Sequence, residues 1–289
     1  MSTDSAASAN SQPTRLPPVA ILGAGSMGRA ILGGLLSPTV RRDGDIRVTN
    51  RSSARAAELA GTAGVRAFAI EDDQHADRHA VDGAGIVIIA VKPAMVPDLL
   101  DDISGTLAPG TLVVSVAAGV SVATFESRLP PSVPVVRSMP NTPAIVGRAV
   151  TGISAGTRST ASDVDMVRRL FETVGEVVEV PEDQLDALST ISGSGPAYVF
   201  YLIEQFTAAA IGKGFSSEQA AQLVNGTFRG AVELLAQSGK SPAELRIQVT
   251  SPKGTTERAI EVLESAELKG VFDRATDAAL ARARELAAG

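Results

Sequence analysis

Between residues 19 and 180 the apolar positions fall into short, nearly unbroken Val, Ile, Leu and Ala runs at 19–22, 46–49, 65–68, 86–91, 111–116, 133–137, 150–154 and 176–180. They alternate with stretches in which apolar residues return every three or four positions, as at 27–36, 54–60, 96–103 and 163–174. A run that is apolar at every position suits a strand whose sheet is covered on both faces, and strands alternating with helices predict a parallel sheet. Beyond Pro181 only the helical pattern remains, at 182–190, 197–212, 217–236, 242–249, 255–265 and 268–287. The predicted fold class is therefore α/β: an N-terminal Rossmann-like doubly wound sheet over 16–181, followed by an all-helical C-terminal domain over 182–289. The join at Pro181 is too short to let the halves swing freely. Residues 1–15, rich in Ser, Ala, Thr, Asn and Gln, predict a disordered tail; they lack the basic start and apolar run of a secretory signal.

Composition narrows the chemistry. The 289 residues suit two domains of about 150 each, and 44% apolar with 20% charged residues is an ordinary soluble composition. The absence of cysteine excludes disulfides, thiolate metal sites and a cysteine nucleophile. Two histidines cannot build a His-rich metal centre. With 26 basic and 32 acidic residues the net charge is −6, against broad nucleic-acid or anionic-membrane binding. No apolar run approaches the roughly 18 residues of a membrane span, so a cytoplasmic location is expected. His75 and His79 lie near Asp72, Asp73 and Asp77, but a polar exposed helix explains them better than a metal site, and no metal is predicted.

The first apolar run leads straight into Gly23-Ala24-Gly25-Ser26-Met27-Gly28, and a helical pattern follows. This is GxGxxG between a first strand and a first helix. Gly23 permits the tight turn, Gly25 lets backbone approach a pyrophosphate, Gly28 lets helix and strand pack closely, and the helix N-terminus faces the anion. The second run ends Thr49-Asn50-Arg51-Ser52-Ser53, without the carboxylate that usually receives an NAD ribose; Arg51 suits a 2′-phosphate. NADPH is therefore favoured, with NADH left open. A further run ends at Ala90-Val91-Lys92-Pro93, where the sheet should reverse its strand order.

Two Gly/Ser/Thr-rich knots punctuate the helical half, at Ile191-Ser192-Gly193-Ser194-Gly195-Pro196-Ala197-Tyr198 and at Val249-Thr250-Ser251-Pro252-Lys253-Gly254-Thr255-Thr256. In the second, Ser251 reads as an N-cap and Pro252 as the first helical residue, leaving backbone N–H groups near Gly254 and Thr255 free. Such a corner serves either as a cap alone or as a small carboxylate site.

These motifs, with Ala117-Ala118-Gly119-Val120-Ser121 and Met139-Pro140-Asn141-Thr142-Pro143 in the same order and spacing, resemble pyrroline-5-carboxylate reductase from about residue 19 to the C-terminus. The resemblance implies NADPH-dependent reduction of 1-pyrroline-5-carboxylate to L-proline, the last step of proline biosynthesis. It implies cofactor contacts at Gly23, Ala24, Gly25, Ser26, Met27, Gly28, Asn50, Arg51, Ser52, Ala90, Val91, Lys92, Pro93, Ala117, Ala118 and Asn141. It implies a substrate site at Ser251, Gly254, Thr255 and Thr256, with Thr256 catalytic as proton donor to the imine nitrogen. It also implies a helical dimerisation domain and a homodimer that assembles further; the all-round apolar stretch from Tyr198 to Ile203 reads as core or subunit interface. Two residues depart from the family pattern: Lys253 stands where Gly is common, and Asp77 where an adenosine-contacting Asn is frequent, so that contact is not carried over. A reductase of another cyclic imine, or an enzyme like the β-hydroxyacid dehydrogenases, is the alternative; the latter is disfavoured because no lysine lies between Lys92 and Lys213.

Overall fold

The structure is a computed structural model that describes residues 14–288, with side chains described over 15–285. The predicted tail lies outside the described residues except for Thr14 and Arg15, which are strand. β1 (Thr14–Leu16) pairs in parallel with β3 (Val40–Arg42) as a small separate sheet. Three polar-rich residues on each side carry no strand periodicity, which is why the sequence pattern passes over this pair.

The main sheet is built from β2 (Val19–Leu22), β4 (Ile46–Asn50), β5 (Val65–Ala69), β6 (Ile86–Ile89), β7 (Leu112–Ser115), β8 (Val135–Met139), β9 (Ala149–Ala155) and β10 (Gly175–Glu179), in the spatial order β10-β9-β8-β7-β6-β2-β4-β5. Successive residues of each strand face opposite sides. On one face Ile21, Val48, Ile88, Val114 and Val136 pack with α1 (Ser26–Leu35) and, after the intervening helices, with α6 (Ala161–Glu172). On the other, Leu22, Val87, Ile89, Val113 and Val135 meet α3 (Ala76–Val81), α4 (Val96–Ile103) and α5 (Val122–Arg128), with α2 (Ser53–Ala57) lying against β5. The sheet is thus doubly wound as expected. It is not wholly parallel: β9 runs antiparallel to β8, and β10 is parallel to β9. Residues 140–148 hold only a single-turn helix at Thr142–Val146, too little chain for the crossover that a parallel neighbour would need.

The helical half contains α7 (Leu185–Leu188), α8 (Gly195–Gly212), α9 (Ser217–Ser238), α10 (Pro242–Gln248), α11 (Thr255–Ser265) and α12 (Leu268–Ala288). By contacts, one compact unit runs to Gly193 and takes in the chain from Arg282, and the other is Ser194–Ala281. The division falls beyond Pro181 because the segment after it is anchored to the sheet: Leu185 is buried, and Glu182 accepts hydrogen bonds from Arg137 and from the Val122 N–H. Within the helical unit α8 packs on α9, with Phe206 and Phe228 edge to face at 6.5 Å. No residue of α8 is buried, and Phe200 and Tyr201 are 67% and 61% exposed. Among the described residues no helix is long and apolar enough to cross a membrane.

Candidate active site

β2 has β6 on one side and β4 on the other, so the chain changes winding direction there and a crevice opens at the strand ends. Gly23 follows β2 with φ +90°, a left-handed conformation, and a Cβ on it would lie 2.8 Å from Val91 Cγ1 and 3.0 Å from the Ala90 carbonyl. Its N–H donates to Thr49 Oγ1 at 3.2 Å, while the Ala24 N–H donates to the Thr49 carbonyl at 2.9 Å. The loop is therefore fastened to the end of β4. Gly25 is the N-cap of α1 and its carbonyl accepts the Arg29 N–H at 2.9 Å. The N–H groups of Ser26, Met27 and Gly28 have no partner among the described residues. Ala24 is buried and Met27 packs against the core, so both face the crevice with backbone rather than side chain. A Cβ on Gly28 would come within 2.8 Å of the Gly23 carbonyl, whereas one on Gly25 would meet nothing within 4 Å. Gly28 is a packing glycine, and Gly25 leaves the approach to the free amides clear.

At the end of β4, Asn50 is 3% exposed and its Nδ2 has no hydrogen-bond partner. Arg51 is exposed, and Ser52 caps α2, accepting the Arg55 N–H at 3.4 Å. The Ser52 hydroxyl thus already has a structural task. Free helix amides, an open glycine, a buried amide donor without a partner and a nearby guanidinium together fit an anionic dinucleotide.

Asp77 on α3 reaches the same strand end: the Thr49 hydroxyl hydrogen-bonds its carboxylate, and its Oδ1 has no partner. Burial is the largest influence and raises its pKa above the ordinary carboxyl value; the Thr49 bond opposes this, and Asp102 adds repulsion. His75 and His79 converge on Asp73 instead, whose pKa is lowered chiefly by the His75 backbone N–H. No cluster able to hold a metal ion is present among the described residues.

On the other side of β6 a cavity of about 610 Å³ is lined by Lys92, Pro93, Ala117, Ala118, Arg137, Ser138, Met139, Asp186 and Ser189 among others. The Ala117 N–H bonds Ser115 Oγ at 3.2 Å, and Ser138 Oγ donates to the Ser115 carbonyl at 2.7 Å, which fixes the wall. Arg137, 9% exposed, is paired with Glu182 at 2.7 Å, and the same Glu182 oxygen accepts the Val122 N–H. Sequence reading missed Arg137, Ser138, Asp186 and Ser189, because no local period or motif links them. Asn141 differs from its expected role: its Nδ2 donates to the Ser192 carbonyl and its Oδ1 accepts the Val150 N–H, both at 2.9 Å, so the side chain clamps three segments together.

The Ser251–Thr256 corner lies in the helical unit, and its cap is not where the sequence put it. α11 starts at Thr255 with Gly254 as N-cap, not at Pro252 after Ser251. The reason is the backbone: Lys253 is left-handed at φ +60°, and the Gly254 N–H bonds back to the Ser251 carbonyl at 3.0 Å, closing a turn before the helix. The Lys253 N–H is held by Glu257 at 2.8 Å. The N–H groups of Thr255 and Thr256 therefore remain without a partner among the described residues, with the Ser251 and Thr256 hydroxyls close by in the chain.

Residues 182–286 match the family described as pyrroline-5-carboxylate reductase dimerisation, and residues 18–119 match NADP oxidoreductase, coenzyme F420-dependent. A pyrroline-5-carboxylate reductase of Corynebacterium melassecola is 38% identical over 271 residues, covering 93% of this chain and 98% of that protein. The structure of such a reductase from Coxiella burnetii superposes with a TM-score of 0.86 at 35% identity, covering 93% of this chain and 97% of that one. Plasmodium falciparum pyrroline carboxylate reductase, solved with NADP bound, shares the fold at a TM-score of 0.78 and 24% identity, over 93% and 98% of the two chains.

Proposed function

The chain belongs to the pyrroline-5-carboxylate reductase family, and from that premise we propose that it reduces 1-pyrroline-5-carboxylate to L-proline in proline biosynthesis, with NADPH as donor and NADH as a second donor. The observation that carries this reading is that the likeness to a reductase runs through both halves, over 93% of this chain and 98% of the relative.

The free amides of Ser26, Met27 and Gly28 receive the cofactor pyrophosphate, and Arg51 the 2′-phosphate. Gly23, Ala90, Val91, Lys92 and Pro93 line its path across the switch point, and Ala117 and Ala118 border the cavity beyond. When bound, the nicotinamide supplies a hydride to the C=N carbon. A protonated imine is already electrophilic, so the protein needs to position it more than to activate it. The Thr255 and Thr256 amides and the Ser251 hydroxyl hold the substrate carboxylate at the start of α11. Thr256 Oγ1 hydrogen-bonds the ring nitrogen and delivers its proton.

The exposed apolar side chains of α8 are the dimer surface, and the dimers assemble further. The same reading puts the protein in the cytoplasm, where reduced nicotinamide cofactor is kept. The test is loss of NADPH absorbance with pyrroline-5-carboxylate, pyrroline-2-carboxylate and a hydroxy-acid couple in parallel. Turnover on the first alone is expected; turnover confined to either of the others overturns the reading.

A further inference from the structure

The end of β4 carries two buried polar atoms without partners, one a donor, Asn50 Nδ2, and one an acceptor, Asp77 Oδ1. A buried polar atom left unpaired is destabilising by about 1–3 kcal/mol, so two at one strand end call for an explanation. Asp77 is fastened in place rather than loose. Its carboxylate takes the Thr49 hydroxyl, and Thr49 Oγ1 in turn accepts the N–H of Gly23, the first residue of the cofactor turn. A single hydroxyl therefore separates the carboxylate from the loop that receives the dinucleotide. No cation among the described residues is ion-paired with Asp77; the nearby Asp102 is already held by Arg78 at 2.6 Å.

A vicinal diol satisfies both orphans, since one hydroxyl can donate to Oδ1 and an oxygen of the pair can accept from Nδ2. The ribose of a dinucleotide is such a diol. A 2′-phosphate replaces one of its hydroxyls with an anion that has no proton to give and is repelled by an ionised carboxylate. The expectation of a strand end without a carboxylate held for the sequence of β4, but α3 brings one to it from a distance of 28 positions, Thr49 to Asp77.

We propose that Asp77 is the specificity-determining residue at the adenosine ribose: its Oδ1 accepts a ribose hydroxyl and disfavours the 2′-phosphate, so that the site takes NADH as well as NADPH. The inference rests on the dinucleotide reading of the glycine turn and names the residue that sets the choice between the two cofactors. Arg51 pulls toward the phosphorylated form and Asp77 against it, and the balance of the two sets the preference.

The experiment measures dissociation constants for NADH and NADPH on the full-length protein without substrate, using the cofactor's own fluorescence, because the chain has no tryptophan to interfere. Wild type, Asp77→Asn and Asp77→Ala are compared. Both cofactors report on the same folded population, so their ratio does not depend on how much of a variant folds. In both variants the ratio Kd(NADH)/Kd(NADPH) should rise by about tenfold, the scale of one charge-assisted hydrogen bond. A ratio within about twofold of wild type in both variants, even if both affinities fall together, overturns the proposal and leaves Asp77 a structural prop. Wild-type protein that binds neither cofactor would sink the dinucleotide reading itself, and this inference with it.

Discussion

Two glycines of one motif should fail in opposite ways. In Gly28→Ala the new methyl would sit 2.8 Å from the Gly23 carbonyl oxygen and 3.4 Å from Ile21 Cγ2, both held by the sheet and its turn. Relieving such a clash is destabilising by about 1–3 kcal/mol, while Ala in place of Gly in a helix returns about 0.5–1 kcal/mol. The net loss is about 0.5–2 kcal/mol, or a few degrees in Tm for a chain of this size. In Gly25→Ala the methyl meets nothing within 4 Å, and the backbone at φ −73°, ψ −165° is open to any residue. The free protein should melt within about 0.5 kcal/mol of wild type. The methyl nevertheless occupies the approach to the Ser26, Met27 and Gly28 amides. Losing one or two hydrogen bonds to a charged ligand, at about 1.5–3 kcal/mol each, raises the NADPH Kd by about tenfold to a thousandfold or more. Thermal melting of the free proteins and NADPH titration separate the two effects. Wild-type NADPH affinity in Gly25→Ala refutes the cradle, and an undiminished Tm in Gly28→Ala refutes the packing argument.

Thr256→Ala should lower turnover by about a hundredfold, as loss of one hydrogen-bonding group at a reacting atom does, while the NADPH Kd stays put; steady-state kinetics at wild-type rate would remove Thr256 from the mechanism. Phe200→Glu, which puts a charge on the bare face of α8, should move the protein to monomer mass in sedimentation, and an unchanged mass would place the subunit contact elsewhere. Burial holds the Asp77 carboxyl above its usual 3.8. The unfolded chain therefore ionises it first, and the destabilisation sets in as pH rises past 3.8 and is complete above the raised native value. Asp77→Asn should gain stability relative to wild type across that rise, which urea titrations at several pH values would detect; a difference that does not vary with pH contradicts the assignment.

The strands were legible because burial on both faces writes an unbroken apolar run. Val87, Ile88 and Ile89 are all fully enclosed, on alternating sides. The same continuity hides direction, so β9 read as one more parallel strand; only the shortness of residues 140–148 could have revealed the reversal. The glycine turn was legible since its function is local. Thr49–Asp77 and Arg137–Glu182 were not, because each joins elements far apart in the chain and neither side chain sits in a repeating pattern. At Ser251-Pro252 the usual signature of a helix start was present, and a left-handed Lys253 displaced the start to Thr255.

The bareness of α8 ties the protein to mass action. A helix that buries none of its residues within its own chain draws its stabilisation from a second chain, and each tenfold dilution shifts that association by about 1.4 kcal/mol against the assembled form. Stability is then a property of the population rather than of the molecule. A cell that halves its supply of this chain loses more than half of its assembled protein once the concentration nears the dissociation constant, so dosage acts on activity more steeply than in proportion.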